Sequence, residues 1–190
     1  MSIEEEFRQV CEKAKKLKYP DDWLLISAFI ADKIAGGKLV LVGGIVVGIY
    51  TRGQYITGDV DASCTVADEV KQKLLKLGFE RVGRHLVYPE LNYLLKMPSS
   101  WLGKRKVVPV EVGDYKVDLL SPEDIIVDRL CAYKFWKSQT DFSQAAMVFA
   151  AQQERIDENY LQARAREEGV EDAFKKLKSE LRKIKISQIS

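Results

Sequence analysis

Histidine is nearly absent from this chain: one in 190 residues, His85. The three cysteines, Cys11, Cys64 and Cys131, lie far apart and form no Cys-x-x-Cys pair, so the donor set of a structural zinc site is missing. A lone histidine with no partner at triad spacing argues against nucleophilic catalysis of the Ser-His-Asp kind. An odd number of scattered cysteines fits reduced thiols in a cytosolic protein. Charge of one sign is not in excess either. Thirty Lys and Arg against 28 Asp and Glu leave a net charge of +2, which excludes a whole-surface nucleic-acid binder and leaves room for a local basic patch. Long apolar runs are lacking: Leu39 to Val42 and Ile45 to Tyr50 fall far short of the roughly 20 residues a bilayer requires. The first ten residues, MSIEEEFRQV, are acidic without an apolar core, unlike a signal peptide. A cytoplasmic protein with no membrane partner is expected.

What is present is enough apolar content, 46%, for one well-packed domain or a domain with a helical appendix. Phe7, Val10, Cys11, Ala14 and Leu17 recur at helical spacing, and Pro20 breaks the pattern. Asp21 or Asp22 can cap a second helix reaching Ile34, ended by Gly36-Gly37. Lys38 to Val42 reads as a buried strand, Ile45 to Tyr50 as a short helix and Ile56 to Cys64 as a second strand. Val66, Val70 and Leu74 mark an amphipathic helix closed by Gly78. Strands are expected near Arg81 to Tyr88 and Leu91 to Met97, a loop over Pro98 to Lys106, and a hairpin Val107–Val112 and Tyr115–Leu120 about Gly113-Asp114.

Ser121-Pro122-Glu123-Asp124 is a helix start: serine caps, proline takes the first position and acids meet the positive end of the helix dipole. From there the chain reads helical, with breaks near Gln139-Thr140, Ile156-Asp157 and Gly169. Val170, Phe174, Leu177, Leu181 and Ile184 form an apolar stripe; Lys175, Lys176, Lys178, Arg182, Lys183 and Lys185 cover the rest, as a solvated face or a weak RNA-facing strip. The pattern predicts an α/β (α+β) fold, a mixed sheet flanked by helices over 1–120, followed by a C-terminal helical region over 121–190 packed on it.

The chemistry concentrates between Leu41 and Asp61. An apolar strand runs into Gly43-Gly44, a short helix follows, then a turn, Thr57-Gly58 and Asp59-Val60-Asp61. On a strand, residues two apart share a face, roughly 7 Å apart along the chain, so Asp59 and Asp61 would aim two carboxylates into one space. Adjacent carboxylates repel unless a cation lies between them, and Mg²⁺ (or Mn²⁺) suits oxygen ligands and keeps room for phosphates. Glycines opening a helix offer bare N–H groups to an anion. Ser63 lies on the same face by period two and can meet a phosphate or cap the strand end; Cys64 points the other way.

At these residues the chain resembles the minimal nucleotidyltransferases of the DNA polymerase β-like superfamily, within the stand-alone bacterial and archaeal branch that includes toxin-type enzymes. YTRGQYITGDVD and LSPEDIIVDRLCAYKFWKSQTDFSQA carry the likeness, which spans about Lys38 to about Phe149. The resemblance implies a nucleotidyltransferase-like mixed sheet and Mg²⁺-dependent transfer of a nucleoside monophosphate from an NTP to RNA, protein or a small molecule. Gly43 and Gly44, with Thr57 and Ser63 nearby, would contact phosphate. Asp59 and Asp61 would be catalytic metal ligands. Arg129 falls where relatives carry a lysine near the triphosphate, and Asp141 where toxin-type relatives carry a further functional aspartate. An antitoxin-like helical partner or a homodimer would follow from the same likeness.

One position departs from the pattern. The superfamily places a third carboxylate in an apolar-Glu-Phe-Pro context, and this chain reads Leu94-Leu95-Lys96-Met97-Pro98. Lys96 is then a surface lysine on an edge strand, or the third acid lies elsewhere, at Glu90, Glu111 or Asp118, or the Lys96 ammonium itself neutralises Asp59 and Asp61. In the last case the chain is a catalytically impaired nucleotidyltransferase fold serving as a nucleotide- or partner-binding module.

Overall fold

A computed structural model of the chain describes residues 1–99 and 103–187, with the side chains of 99 and 184–187 outside the description. The side chains of Ile184 and Lys185 of the expected stripe and basic tail, and residues 100–102 of the expected loop, lie outside the description. The fold is mixed α/β, and the chain divides into two compact units, Met1–Leu120 and Ser121–Ser190.

In the first unit, α1 (Ile3–Ala14) begins with a capping box. Ser2 Oγ accepts from the Glu5 amide, and the Glu5 carboxylate accepts from the Ser2 amide. Phe7, Val10, Cys11 and Ala14 are buried along one stripe, but Leu17 lies beyond the helix and is 43% exposed. α2 (Asp21–Phe29) is buried from Trp23 onward, and continues into a π-helical turn, Ile30–Ile34. Neither aspartate caps it: Pro20 stands at the cap position, and Asp22 instead accepts from the Trp23 amide at 2.8 Å.

Then come β1 (Leu39–Val42), α3 (Gly43–Tyr50), β2 (Val60–Cys64), α4 (Ala67–Lys76), β3 (Glu80–Val82), β4 (His85–Tyr88), β5 (Tyr93–Ser99), β6 (Val107–Val112) and β7 (Tyr115–Leu120). The sheet order is β3-β4-β5-β2-β1-β7-β6, with β2–β5 and β1–β7 parallel and the other pairs antiparallel. Three expectations, one helix and two strands, need correction. The first helix residue is Gly43, not Ile45, so the glycines open the helix from within. The strand expected from Ile56 begins only at Val60, because Arg52 and Gly53 hold positive φ and turn the preceding segment. The strand expected over Arg81 to Tyr88 is a hairpin with a two-residue turn at Gly83-Arg84. β5 also runs two residues past Met97, its pairing to β2 interrupted by a bulge.

One face of the central strands is dry: Leu39, Leu41, Ala62, Leu95 and Leu119 are 1% exposed or less. An aromatic cluster extends this core. Phe7 packs on Phe29, Phe79 and Tyr88 at centroid distances of 5.2–5.8 Å. Tyr93 is fully buried; its hydroxyl shares a 2.8 Å hydrogen bond with Ser27 Oγ, and burial pushes its phenol upward from the ordinary value. The opposite face carries the polar side chains.

The second unit is helical: α5 (Pro122–Trp136), α6 (Gln139–Gln152), α7 (Glu158–Glu167) and α8 (Glu171–Ser187). Ser121, Ser138 and Asp157 cap the first three through the amides of Asp124, Asp141 and Tyr160. The break expected at Gln139-Thr140 falls earlier, where Lys137 at φ 59 closes α5. The unit's buried polar centre is Arg164, whose Nε donates to Asp124 Oδ1 at 2.9 Å; Tyr160 and Ser121 bond the other Asp124 oxygen. No helix among the described residues is long and apolar enough to cross a membrane.

Candidate functional site

The end of β1 sets the site. Val42 is fully extended, and Gly43 at φ +69 turns the chain into α3, whose first turn has no side-chain cap. A Cβ on Gly43 would fall 2.9 Å from Asp61 Oδ2, and one on Gly44 would fall 2.7 Å from Thr57 Oγ1. The glycines are therefore required twice over. Gly43 admits a left-handed backbone, and the two together let a carboxylate and a hydroxyl come against the uncapped helix start.

Register brings Asp61 there, since it pairs with Val42 across the antiparallel β1–β2 ladder. Asp59 precedes β2, at the end of the turn segment that follows α3. Thr51 and Tyr19 hold that segment. Thr51 Oγ1 donates to Val47 O at 2.8 Å and accepts from the Tyr55 amide, and the Tyr19 hydroxyl accepts from the Thr57 amide at 3.4 Å. Tyr19 fits because residue 48 is glycine: a Cβ there would meet the Tyr19 hydroxyl.

Both carboxylates converge on Lys96. Its Nζ lies 2.7 Å from Asp59 Oδ2 and 3.2 Å from Asp61 Oδ1, and Lys96 pairs directly with Asp61 across the parallel β2–β5 ladder. The three side chains are 19–25% exposed, a half-buried setting in which opposite charges about 4 Å apart attract by about 4 kcal/mol at an effective dielectric near 20. The hydrogen bond to Asp59, more than the opposing effect of burial, raises the Lys96 ammonium above its ordinary pKa. His85 joins from β4, with Nε2 3.4 Å from Asp59 Oδ2.

The other acids weighed for a third ligand stand apart from this cluster. Glu90 pairs with Lys15 at 3.5 Å, and Glu111 with Lys116 at 3.2 Å. Asp118 shares the polar face but is in register with Val40, which is in register with Ser63, so it lies one pleat along from the row of Asp61. Among the described residues no group of three or more His, Cys, Asp and Glu is arranged to hold a metal ion. The donor set at Asp59 and Asp61 fits Mg²⁺ poorly for a positive reason: an ammonium stands between the oxygens that would coordinate it. Mg²⁺ binding requires oxygens closed to about 2.0–2.1 Å.

Ser63 is buried at 5% exposure, and Cys64 at 1%. Burial pushes the Cys64 thiol upward, which suits an inert core cysteine. Arg129 and Asp141 belong to the helical unit and engage each other: Arg129 Nη1 donates to Asp141 Oδ1 at 2.8 Å, and Ser138 Oγ donates to Asp141 Oδ2. Arg129 Nε is buried without a hydrogen-bond partner.

Two contributors escaped the sequence reading, His85 and Tyr19. Both reach the site from elements distant in sequence, and no spacing rule links them to Asp59. The chain matches no protein-family model, and no curated protein matches it significantly.

Proposed function

We propose that this chain is a nucleotidyltransferase-like module that binds a nucleoside triphosphate and transfers nothing. The observation that carries it is the Lys96 ammonium held at 2.7 and 3.2 Å from Asp59 and Asp61. In this reading Lys96 supplies the positive charge that a divalent cation supplies in relatives. Phosphate oxygens would meet the uncapped amides at Gly43 and Gly44, with Thr57 beside them as a hydroxyl donor. Two carboxylates and one ammonium leave one net negative charge beside the turn, so affinity would be modest. A lysine activates no acceptor and braces no pyrophosphate in the way two metal ions do.

A transferase reading draws on a separate observation, the seating of Asp61 against Gly43 and Thr57 against Gly44. It requires Lys96 to leave the carboxylates when Mg²⁺ or Mn²⁺ arrives.

Incubation with each α-³²P-labelled NTP, with Mg²⁺ or Mn²⁺ and candidate acceptors, separates the two. The binding reading expects NTP-dependent thermal stabilisation without added metal and no label transfer. Metal-dependent transfer that disappears in Asp59→Asn would overturn it.

A further inference from the structure

A cleft of about 440 Å³ opens beside the carboxylate pair, between α4 and the β3–β4 hairpin. It meets the site only at Asp61, His85 and Lys96; Gly43, Gly44, Thr57 and Asp59 do not line it. Four permanent cations, Lys71, Arg81, Arg84 and Lys96, face two carboxylates across it, Asp61 and Asp68. Those two carboxylates are already engaged, Asp61 by Lys96 and Asp68 by Lys71 at 3.0 Å. The arginines are not: Arg81 donates only to Gly83 O at 3.4 Å, and neither Arg81 nor Arg84 has a carboxylate partner among the described residues. Both are exposed on a tight hairpin, Arg81 on β3 and Arg84 in the two-residue turn. Leu75, Leu86 and Met97 give the cleft an apolar wall.

Surplus guanidinium groups beside apolar surface form the pattern that tracks a single strand. The backbone meets fixed forks, and the guanidinium planes can stack on bases without discriminating among them. We propose that this cleft is a second phosphate site, separate from the Gly43–Gly44 turn, which receives the phosphodiester backbone of a single-stranded oligonucleotide. Arg81 and Arg84 grip successive phosphates, and the strand's end lies toward Lys96. The proposal goes beyond the nucleotide-binding reading and stands without it, because the cleft and the turn share no residue.

Fluorescence anisotropy with a labelled single-stranded RNA 12-mer tests it on the full chain. The wild type binds, and Arg81→Ala/Arg84→Ala weakens binding. The slope of log K against log salt becomes shallower by about 1.4, as expected when two single-strand phosphate contacts at about 0.7 each are lost. Arg182→Ala/Lys183→Ala on α8 leaves binding unchanged. Failure of the wild type to bind overturns the proposal. So does an unchanged Arg81/Arg84 double variant, or an equal loss from the α8 variant, which would assign the effect to general charge. Displacement of the strand by tripolyphosphate at concentrations that also stabilise the fold would reassign the cleft to a free polyphosphate and likewise overturn it. NTP-dependent thermal stabilisation, measured alongside, remains intact in Arg81→Ala/Arg84→Ala. Its loss in the wild type would sink only the nucleotide reading.

Discussion

Lys96 is the cross-strand partner of Asp61, and its ammonium passes that residue to lie closer to Asp59, 2.7 against 3.2 Å. A charged pair in register on a parallel ladder is held by the backbone on both sides, so the ammonium is placed by the sheet rather than by chance contact of flexible chains. Lys96→Met should therefore expose the repulsion of the two acids. The expected cost without metal is about 1–2 kcal/mol, between the values for exposed and buried pairs. Mn²⁺ should raise the variant's melting temperature and leave the wild type unmoved. Equal stabilisation of both proteins by Mn²⁺ would mean that Lys96 does not hold the cation's place.

The same pair sets a pH dependence. Lys96 is raised above its ordinary 10.5, chiefly by the Asp59 hydrogen bond. A raised lysine gives stability that is fully present below the unfolded pKa and is lost as pH climbs through the folded one. The stability difference between wild type and Lys96→Met should be level from neutral pH to the ordinary lysine value and shrink above it. Urea melts at a series of alkaline pH values measure this, and a difference already shrinking near pH ~8 would contradict it.

Gly44→Ala should disturb the site more than the fold. Its Cβ would meet Thr57 Oγ1 at 2.7 Å, so the threonine must move out of the turn. NTP-dependent stabilisation should fall, and Gly44→Ala/Thr57→Ala should recover part of the lost stability, a coupling that a double-mutant cycle reads directly. Additive effects of the two substitutions would show that the hydroxyl does not occupy that space.

Arg164 anchors the helical unit. Its side chain is 8% exposed and its partner Asp124 is wholly buried. Arg164→Met leaves that carboxylate without its cation, at an expected cost of about 3–5 kcal/mol, while Arg164→Met/Asp124→Asn should regain much of it. Chemical denaturation followed by far-ultraviolet circular dichroism on both variants provides the check. A single variant as stable as wild type would remove the pair from any structural role.

Local chemistry made much of the fold legible before any coordinates. Ser121-Pro122 announced α5, the spacing of Phe7, Val10, Cys11 and Ala14 marked α1, and the Val107–Leu120 hairpin lies where its turn residues put it. Each depends on residues within a few positions of one another. The misplacements arose where a neighbour in space decided: Val60 begins β2 because the preceding turn is tied down by Thr51 and Tyr19, and Arg129 turned to Asp141 because α6 folds back beside α5.

By itself the sequence determined the ingredients of the candidate site: two adjacent glycines opening a helix, two acids one residue apart, and a lysine where the resemblance implies an acid. Whether Lys96 was a surface charge or a resident cation lay outside its reach, as did the approach of His85. Those depend on which strands pair and in what register, and a register shift of one residue would have turned Lys96 to the opposite face. Long-range pairing is set by the summed burial of the whole sheet, and no window of sequence carries that sum.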